Sequence, residues 1–338
     1  MGMLKDGTWQ TEALIASGGD GKFKRATTTF RNWITPDGAP GPSGEGGFPA
    51  ASGRYHLYVC YACPWAHRAL IFRALKGLED HIGVSAVHPD MMDQGWELRD
   101  DFPGATGDPL MDKRYLHEVY TEADPQVTAR VTVPVLWDKE RRTIVSNESA
   151  EIIRMFNSAF DGITGNADDY WPEALHADIA PVNDRIYDTL NNGVYKAGFA
   201  TTQEAYDAAV IPLFDTLDWL EARLGRDRYL MGDRVTEADW RLFTTLIRFD
   251  LVYHTHFKCN RAFLTEYPAI WGYLRELYQW PGVAGTVRFD HIVRHYYYSH
   301  DSVNPHRIIP INPRPDFDAP HGRGTRRAAD SATAAQMP

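Results

Sequence analysis

The chain has 338 residues, 43% hydrophobic and 24% charged, a composition typical of a globular protein and a length suited to two domains. Its net charge of −10 argues against a general nucleic-acid binder, which would carry a basic face. Three cysteines give no disulfide framework and fit a reducing compartment. The opening MGMLKDGTWQ lacks the apolar stretch of a signal peptide, and no apolar run reaches about 18 residues, so a cytoplasmic protein without a membrane segment is expected.

Residues 1–53 read as an N-terminal extension rich in Gly, Pro, Asp and Thr, with GAPGPSGEGG at 38–47 as loop or linker. Tyr55, Leu57 and Val59 alternate with polar neighbours, which predicts a half-buried strand. Pro64 then opens a helix carrying Ala69, Ile71, Phe72, Leu75 and Leu78. A short strand is expected at 83–88, a long polar insertion with Trp96 at 89–114, and a helix at 115–123 that stops before Asp124-Pro125. VTVPVLWD at 131–138 reads as a strand containing Pro134, which marks an edge, a bulge or a cis bond. Another strand follows at 142–145, then a helix from 146 capped by Ser146 or Asn147.

From about residue 170 the pattern is helical only. A helix is expected at 173–192. Thr201 to Glu204 offers a capping box for the next one, and Thr236 to Asp239 a capping signal before an apolar helix reaching Tyr253. A further helix is expected at 266–279. These elements predict an α/β domain over 54–160 followed by an all-helical domain over 170–324. The Ala-, Arg- and Ser-rich tail at 325–338 reads as disordered.

The whole chain is organised around YVCYACPWAHRAL at 58–70. A strand, Cys63, a proline and a helix follow one another, so Cys63 sits beside the unpartnered N–H groups of a first helical turn, where a thiolate is favoured. Most free cysteines are small buried hydrophobes; this context favours a nucleophile. Cys60 gives a Cys-x-x-Cys spacing, but resolving cysteines usually follow the nucleophile, and Ala66 holds that place. Cys60 is therefore expected to be a strand residue, although a Cys60–Cys63 disulfide that switches activity off is conceivable. The pair lacks a second ligand pair for zinc, so no metal is expected, and Cys259 reads as structural.

An α/β domain followed by a helical one resembles the glutathione transferases. Within them, ACPWAHRAL at 62–70, GWEL at 95–98, ADPQVTARVTVPVLWD at 123–138, NESAEI at 147–152, YKAGFA at 195–200, HFKCN at 256–260 and HYYYSH at 295–300 resemble the glutathionyl-hydroquinone reductases, or Xi class. The resemblance covers about 10–322. It implies a thioredoxin-like N-terminal domain, glutathione as co-substrate, a homodimer, and removal of a glutathionyl group from a hydroquinone with release of glutathione disulfide. In that scheme Cys63 attacks the sulfur of the conjugate, and a second glutathione resolves the mixed disulfide.

The same resemblance implies roles for other residues. Trp96, Arg130, Val133, Glu148 and Ser149 would bind glutathione. Val133 would use its backbone beside a cis Pro134, Glu148 would take the γ-glutamyl amine, Ser149 its carboxylate, and Arg130 would suit the glycyl carboxylate. Tyr195, Tyr253 and Tyr296 would line the hydroquinone pocket, with Tyr195 and Tyr296 stabilising the phenol or donating a proton. Which of Tyr296, Tyr297 and Tyr298 faces that pocket stays open at this stage. The competing readings are a broader glutathione-dependent thiol transferase or dehydroascorbate reductase, and a non-catalytic ligand carrier. A conventional conjugating transferase fits least, because a cysteine would form a disulfide with glutathione.

Overall fold

The computed structural model describes residues 2–11, 21–23, 27–313 and 315–324. The tail expected to be disordered, 325–338, lies outside them. The described residues form two compact units. One takes in 2–11, 27–167 and 286–309; the other takes in 21–23, 168–285 and the described part of 310–324.

The first unit begins with a hairpin, β1 (Met3–Lys5) and β2 (Thr8–Gln10), and contains a four-stranded sheet. Its strands are β3 (Tyr55–Val59), β4 (Gly83–Ala86), β7 (Val135–Asp138) and β8 (Thr143–Ser146), in the order β4-β3-β7-β8. β3 and β4 are parallel, joined through α1 (Pro64–Leu75). β7 runs antiparallel to both β3 and β8, and α3 (Ser149–Ser158) follows and packs on α1. With α2 (Leu116–Ala123) between β4 and β7, this is the thioredoxin-like order. The polar insertion carries a small hairpin, β5 (Met91–Met92) and β6 (Gly95–Trp96), with Gly95 at a positive φ of 74°.

β3 departs from the half-buried expectation, since all five of its residues are buried. Its polar positions are matched rather than solvated. His56 Nε2 pairs with Ser85 Oγ at 2.8 Å, and the Tyr58 hydroxyl donates to Asp108 at 3.0 Å. Burial pushes the His56 imidazole down to about 4, so it sits neutral in the sheet.

Ahead of β3, residues 28–32 lie along the end of β8. Asn32 N donates to the Val145 carbonyl at 2.9 Å, and Asn147 N to the Phe30 carbonyl at 3.2 Å. Trp33, Ile34 and Phe48 are buried. The unit is completed by α4 (Asp161–Thr164) and by α10 (Phe289–Ser299), a helix the sequence pattern did not predict.

The second unit is helical. α5 (His176–Ile186) runs into a π-helical turn, Tyr187–Asn191, and then α6 (Gly193–Gly198). α7 (Gln203–Leu224) is capped by Thr202, whose hydroxyl accepts from Ala205 N at 3.2 Å, rather than by the expected Thr201. α8 (Glu237–Arg248) has the expected Thr236–Asp239 box and passes into a second π-helical turn, Phe249–Tyr253. α9 (Pro268–Tyr278) follows. Among the described residues no helix is long and apolar enough to cross a membrane, and no group of three or more His, Cys, Asp or Glu is arranged to hold a metal.

Candidate active site

Cys63 is the N-cap of α1, with extended backbone (φ −76°, ψ 121°) and Pro64 at the first helical position. The turn before it closes through a Cys63 N–H to Cys60 carbonyl bond of 3.0 Å, and the Cys63 carbonyl accepts from His67 N at 3.0 Å. The thiol is half-buried and its Sγ lies 3.6 Å from the Val133 carbonyl oxygen. Val133–Pro134 is a cis peptide bond, as the resemblance implied. A thiolate here faces the positive end of α1, the setting that activates cysteine nucleophiles. Cys60, by contrast, is fully buried just past the end of β3. Cys259 is buried as well, and desolvation raises its thiol above the ordinary range, the setting of a structural cysteine.

Glu148, not Ser146 or Asn147, caps α3. Its side chain accepts from Ala150 N at 3.1 Å. Asn147 instead holds the preceding segment through its Oδ1, which accepts from Phe30 N at 3.1 Å. Ser149 is buried at the first turn of α3, with Arg68 Nη1 3.5 Å from its hydroxyl and the Arg68 guanidinium 4.5 Å above the Trp65 ring.

Sequence reasoning missed Tyr120. This buried α2 residue donates to the Thr132 carbonyl at 2.9 Å and accepts from Thr132 N at 3.2 Å and Asn147 Nδ2 at 3.1 Å. One phenol thus ties the stretch carrying Val133 to the stretch carrying Glu148 and Ser149. The sequence places it only within the expected helix at 115–123, which says nothing about the hydroxyl. Arg130 is half-buried, three residues before Val133.

Trp96 is buried in β6 and stacks on His295 of α10, with centroids 4.9 Å apart and planes 28° apart. The His295 Nδ1–H donates to the Pro89 carbonyl at 2.8 Å, which fixes the tautomer because a carbonyl only accepts. α10 is also bound to that loop by a two-pronged Arg294–Asp90 pair at 2.7 and 2.8 Å. Tyr296 is buried beside His295 and His300, with ring centroids 5.5 and 5.3 Å away. Tyr297 is buried too. Tyr298 is half-exposed, with the Arg294 and Arg307 guanidiniums 3.6 and 5.2 Å from its ring centroid.

The second unit holds Tyr195 and Tyr253 together, with centroids 6.0 Å apart at 62°. Phe257 stacks on Tyr253 at 5.7 Å and meets Tyr195 edge-on at 5.5 Å, while Phe23 and Phe199 lie 6.3 Å from Tyr195. Gly198 permits this packing, since a Cβ there would come within 2.2 Å of the Phe257 ring. Both tyrosines follow or end a π-helical turn, a device often found at functional sites. The structure therefore groups Cys63 with Val133, Trp96 with the helix of Tyr296, and Tyr195 with Tyr253.

The family described as "Glutathione S-transferase, N-terminal domain" matches residues 62–159, and "Glutathione S-transferase, C-terminal domain" matches residues 203–276. Glutathionyl-hydroquinone reductase YqjG of Escherichia coli K12 is 58% identical over 96% of this chain and 99% of its own length. Its glutathione-bound structure superposes with a TM-score of 0.89, covering 95% of this chain and 99% of that one. Glutathionyl-hydroquinone reductase PcpF of Sphingobium chlorophenolicum is 48% identical over 93% of this chain and 96% of its own. A Xi-class transferase from Natrialba magadii is 51% identical with a TM-score of 0.87, covering 96% of each chain. With full-length identity at this level and both transferase domains present, the chain belongs to the glutathionyl-hydroquinone reductases, the Xi class of the glutathione transferase superfamily.

Proposed function

We propose that this protein uses glutathione to reduce glutathionyl-hydroquinones to free hydroquinones through a Cys63–glutathione mixed disulfide. The observation that carries the reading is the half-exposed Cys63 thiol at the start of α1, beside the Val133 carbonyl. The Cys63 thiolate attacks the glutathione sulfur of the conjugate. The conjugate reacts as its keto tautomer, in which a hydroxyl has given up its proton and the sulfur-bearing ring carbon has taken one. As the sulfur–carbon bond breaks, its electron pair passes to the keto oxygen, which takes a proton to give the hydroquinone. A second glutathione thiolate then attacks the glutathione sulfur of the mixed disulfide, releasing glutathione disulfide and the Cys63 thiolate. The aryl carbon gains two electrons, and two glutathione sulfurs, the thioether sulfur of the conjugate and the thiol of the second glutathione, lose one each.

An aryl carbanion is a poor leaving group, so donors aimed at the phenolic oxygen lower the barrier most. Tyr195 and Tyr296 take that role, and Tyr253 packs against the ring. Their aromatic surroundings support an apolar quinol site. On the glutathione side, Val133 offers its backbone to the cysteinyl moiety, Glu148 the acceptor for the γ-glutamyl amine, and Ser149 a donor for the γ-glutamyl carboxylate at a helix N-terminus. Trp96 and Arg130 complete that side. The second half-reaction consumes reduced glutathione, which supports a cytoplasmic location, and the resemblance to the family supports a homodimer.

The test is hydroquinone release from a glutathionylated hydroquinone with excess glutathione, run beside Cys63→Ala. Release by the native protein alone supports the reading. No release by either, with exchange on a simple glutathione mixed disulfide intact, replaces it with the thiol-transferase reading. Glutathione binding without turnover on either substrate replaces it with a carrier.

A further inference from the structure

The segment ahead of β3 does more than cover the sheet edge. We propose that Thr28 is a positioning residue of the γ-glutamyl subsite, aiming the Glu148 carboxylate at the amine of a γ-glutamyl thiol. The inference rests on the reading of Glu148 given above and adds a residue from a part of the chain that lies far from it in sequence.

Residues 30–32 are fixed in register against 145–147 by Asn32 N to Val145 O, Asn147 N to Phe30 O, and Phe30 N to Asn147 Oδ1, and Arg31 bridges Ser146. The Arg31 guanidinium locks the register further on Glu151, one turn into α3, with Nε 2.7 Å from Oε2 and a second, shorter contact from Nη2 to Oε1. The Phe30 ring meets the Tyr120 ring edge-on at 5.8 Å, so the segment also touches the phenol that joins the two glutathione stretches.

This register brings Thr28 to Glu148. The Thr28 hydroxyl donates to Oε2 at 3.1 Å, while Ala150 N donates to Oε1 at 3.1 Å. Among the described residues each carboxylate oxygen thus takes one bond. A carboxylate has about four lone-pair positions, so each oxygen keeps capacity for a charged donor. A bond to each oxygen also restrains the carboxylate before ligand arrives, and binding then orders one fewer rotor. The cap bond from Ala150 alone would hold only one oxygen.

The test measures KM for glutathione and kcat for Thr28→Val, Thr28→Ser and the native enzyme. It then repeats the glutathione titration with glutaryl-cysteinylglycine, which lacks the γ-glutamyl amine. Thr28→Val is expected to raise KM for glutathione by about three- to ten-fold with kcat unchanged, the effect of one hydrogen bond. Thr28→Ser is expected to stay near native. The Thr28→Val penalty should vanish with glutaryl-cysteinylglycine, because no amine remains for Glu148 to hold; a merely structural defect would persist with both thiols. The proposal is overturned if Thr28→Val matches native with glutathione, if the serine variant is equally impaired, or if the penalty is the same for both thiols. A native enzyme whose KM is itself indifferent to the missing amine overturns the Glu148 reading as well, which separates the two failures.

Discussion

Cys63 Sγ lies 3.6 Å from the carbonyl oxygen of Val133, a residue 70 positions further along the chain. The contact joins the start of α1 to the turn that leads into β7. A group that reads the thiol of one glutathione while pairing with its backbone would sit across those two elements. Replacing Cys63 by serine or alanine removes the proposed nucleophile and leaves the backbone bonds that hold the turn from Cys60 to His67. Hydroquinone release is expected to fall by about three or more orders of magnitude. Glutathione binding, followed by calorimetry, is expected to change little. Retained turnover in either variant would show that Cys63 is not the nucleophile.

Cys60 supplies the internal control. It is fully buried behind the turn, whereas Cys63 is half-exposed. Glutathione disulfide should therefore add one glutathionyl group per chain, at Cys63. Cys60→Ser is expected to keep turnover within about three-fold of native, the change reflecting only an oxygen in place of a buried sulfur. Peptide mapping that finds the adduct on Cys60, or an internal disulfide in its place, would contradict this.

Local signals were legible in the sequence and distant ones were not. Strand, cysteine, Pro64 and helix follow one another within a dozen residues, so propensity and period sufficed. The caps of α3 and α7 each fall one or two residues beyond the expected position. SNES and TT contain several competent capping side chains, and the choice depends on which residue leaves helical geometry first. The π-helical turns at 187–191 and 249–253 carry no residue signature, because one inserted residue leaves the hydrophobic stripe nearly in place. α10 went unrecognised, and its docking depends on pairs such as Pro89–His295 and Asp90–Arg294, more than 200 residues apart, which no local window contains. The tyrosines and the glutathione residues came from family motifs rather than from spacing, and Tyr120 and Thr28 belong to none of those motifs.

The tyrosines make a graded prediction. Tyr195→Phe and Tyr296→Phe keep the ring packing with Phe199, Phe257 and the neighbouring histidines, and remove only the hydroxyl. Each is expected to lower kcat for the glutathionyl-hydroquinone by about 10- to 1,000-fold, the range for a lost proton donor or oxyanion partner. Exchange on a small glutathione mixed disulfide, which has no phenol to protonate, is expected to stay near native. Tyr253→Phe is expected to act mainly on KM. Equal losses on both substrates in the Tyr195 variant would remove it from the phenol-stabilising role.

Asp250 gives a pH prediction. It is buried in the second π-helical turn, where desolvation pushes its carboxyl up to about 6 although Leu264 N donates to it at 2.7 Å. The nearby Glu266 charge pushes in the same direction. The folded state therefore holds the proton more tightly than the unfolded chain. This contribution is fully present below the unfolded value near 4 and is lost as pH rises to about 6. The loss amounts to at most about 3 kcal/mol. Asp250→Asn keeps an acceptor for the backbone and cannot titrate. Urea midpoints of native protein minus Asp250→Asn should fall between pH 4 and 6 and level above it; a flat difference would mean that Asp250 is as ionised folded as unfolded.

The second unit is fastened by its own C-terminal segment. Arg323 donates from Nε to Glu276 at 2.9 Å, from Nη1 to the Leu224 and Ala269 carbonyls at 3.4 and 3.3 Å, and from Nη2 to the Asp227 carbonyl at 3.3 Å and to that of Arg228. Gly272 lets the segment lie directly on α9, since a Cβ there would come within 2.9 Å of the His321 carbonyl. Glu276 is buried and also accepts from Arg228 and Tyr229, so losing Arg323 leaves its charge partly compensated rather than bare. Arg323→Ala is therefore expected to cost about 2–4 kcal/mol, less than breaking an isolated buried pair. Lysine keeps the charge but not the planar fork that reaches carbonyls on both sides, and should recover under half of the loss. Urea unfolding of the full chain, followed in the helical unit, measures both. Turnover per folded molecule should be unchanged, because none of these bonds involves a residue of the catalytic reading. An Arg323→Ala protein within about 0.5 kcal/mol of native would mean that the bonds from the Gln279 side-chain amide to the Phe317 and Ala319 carbonyls hold the segment by themselves.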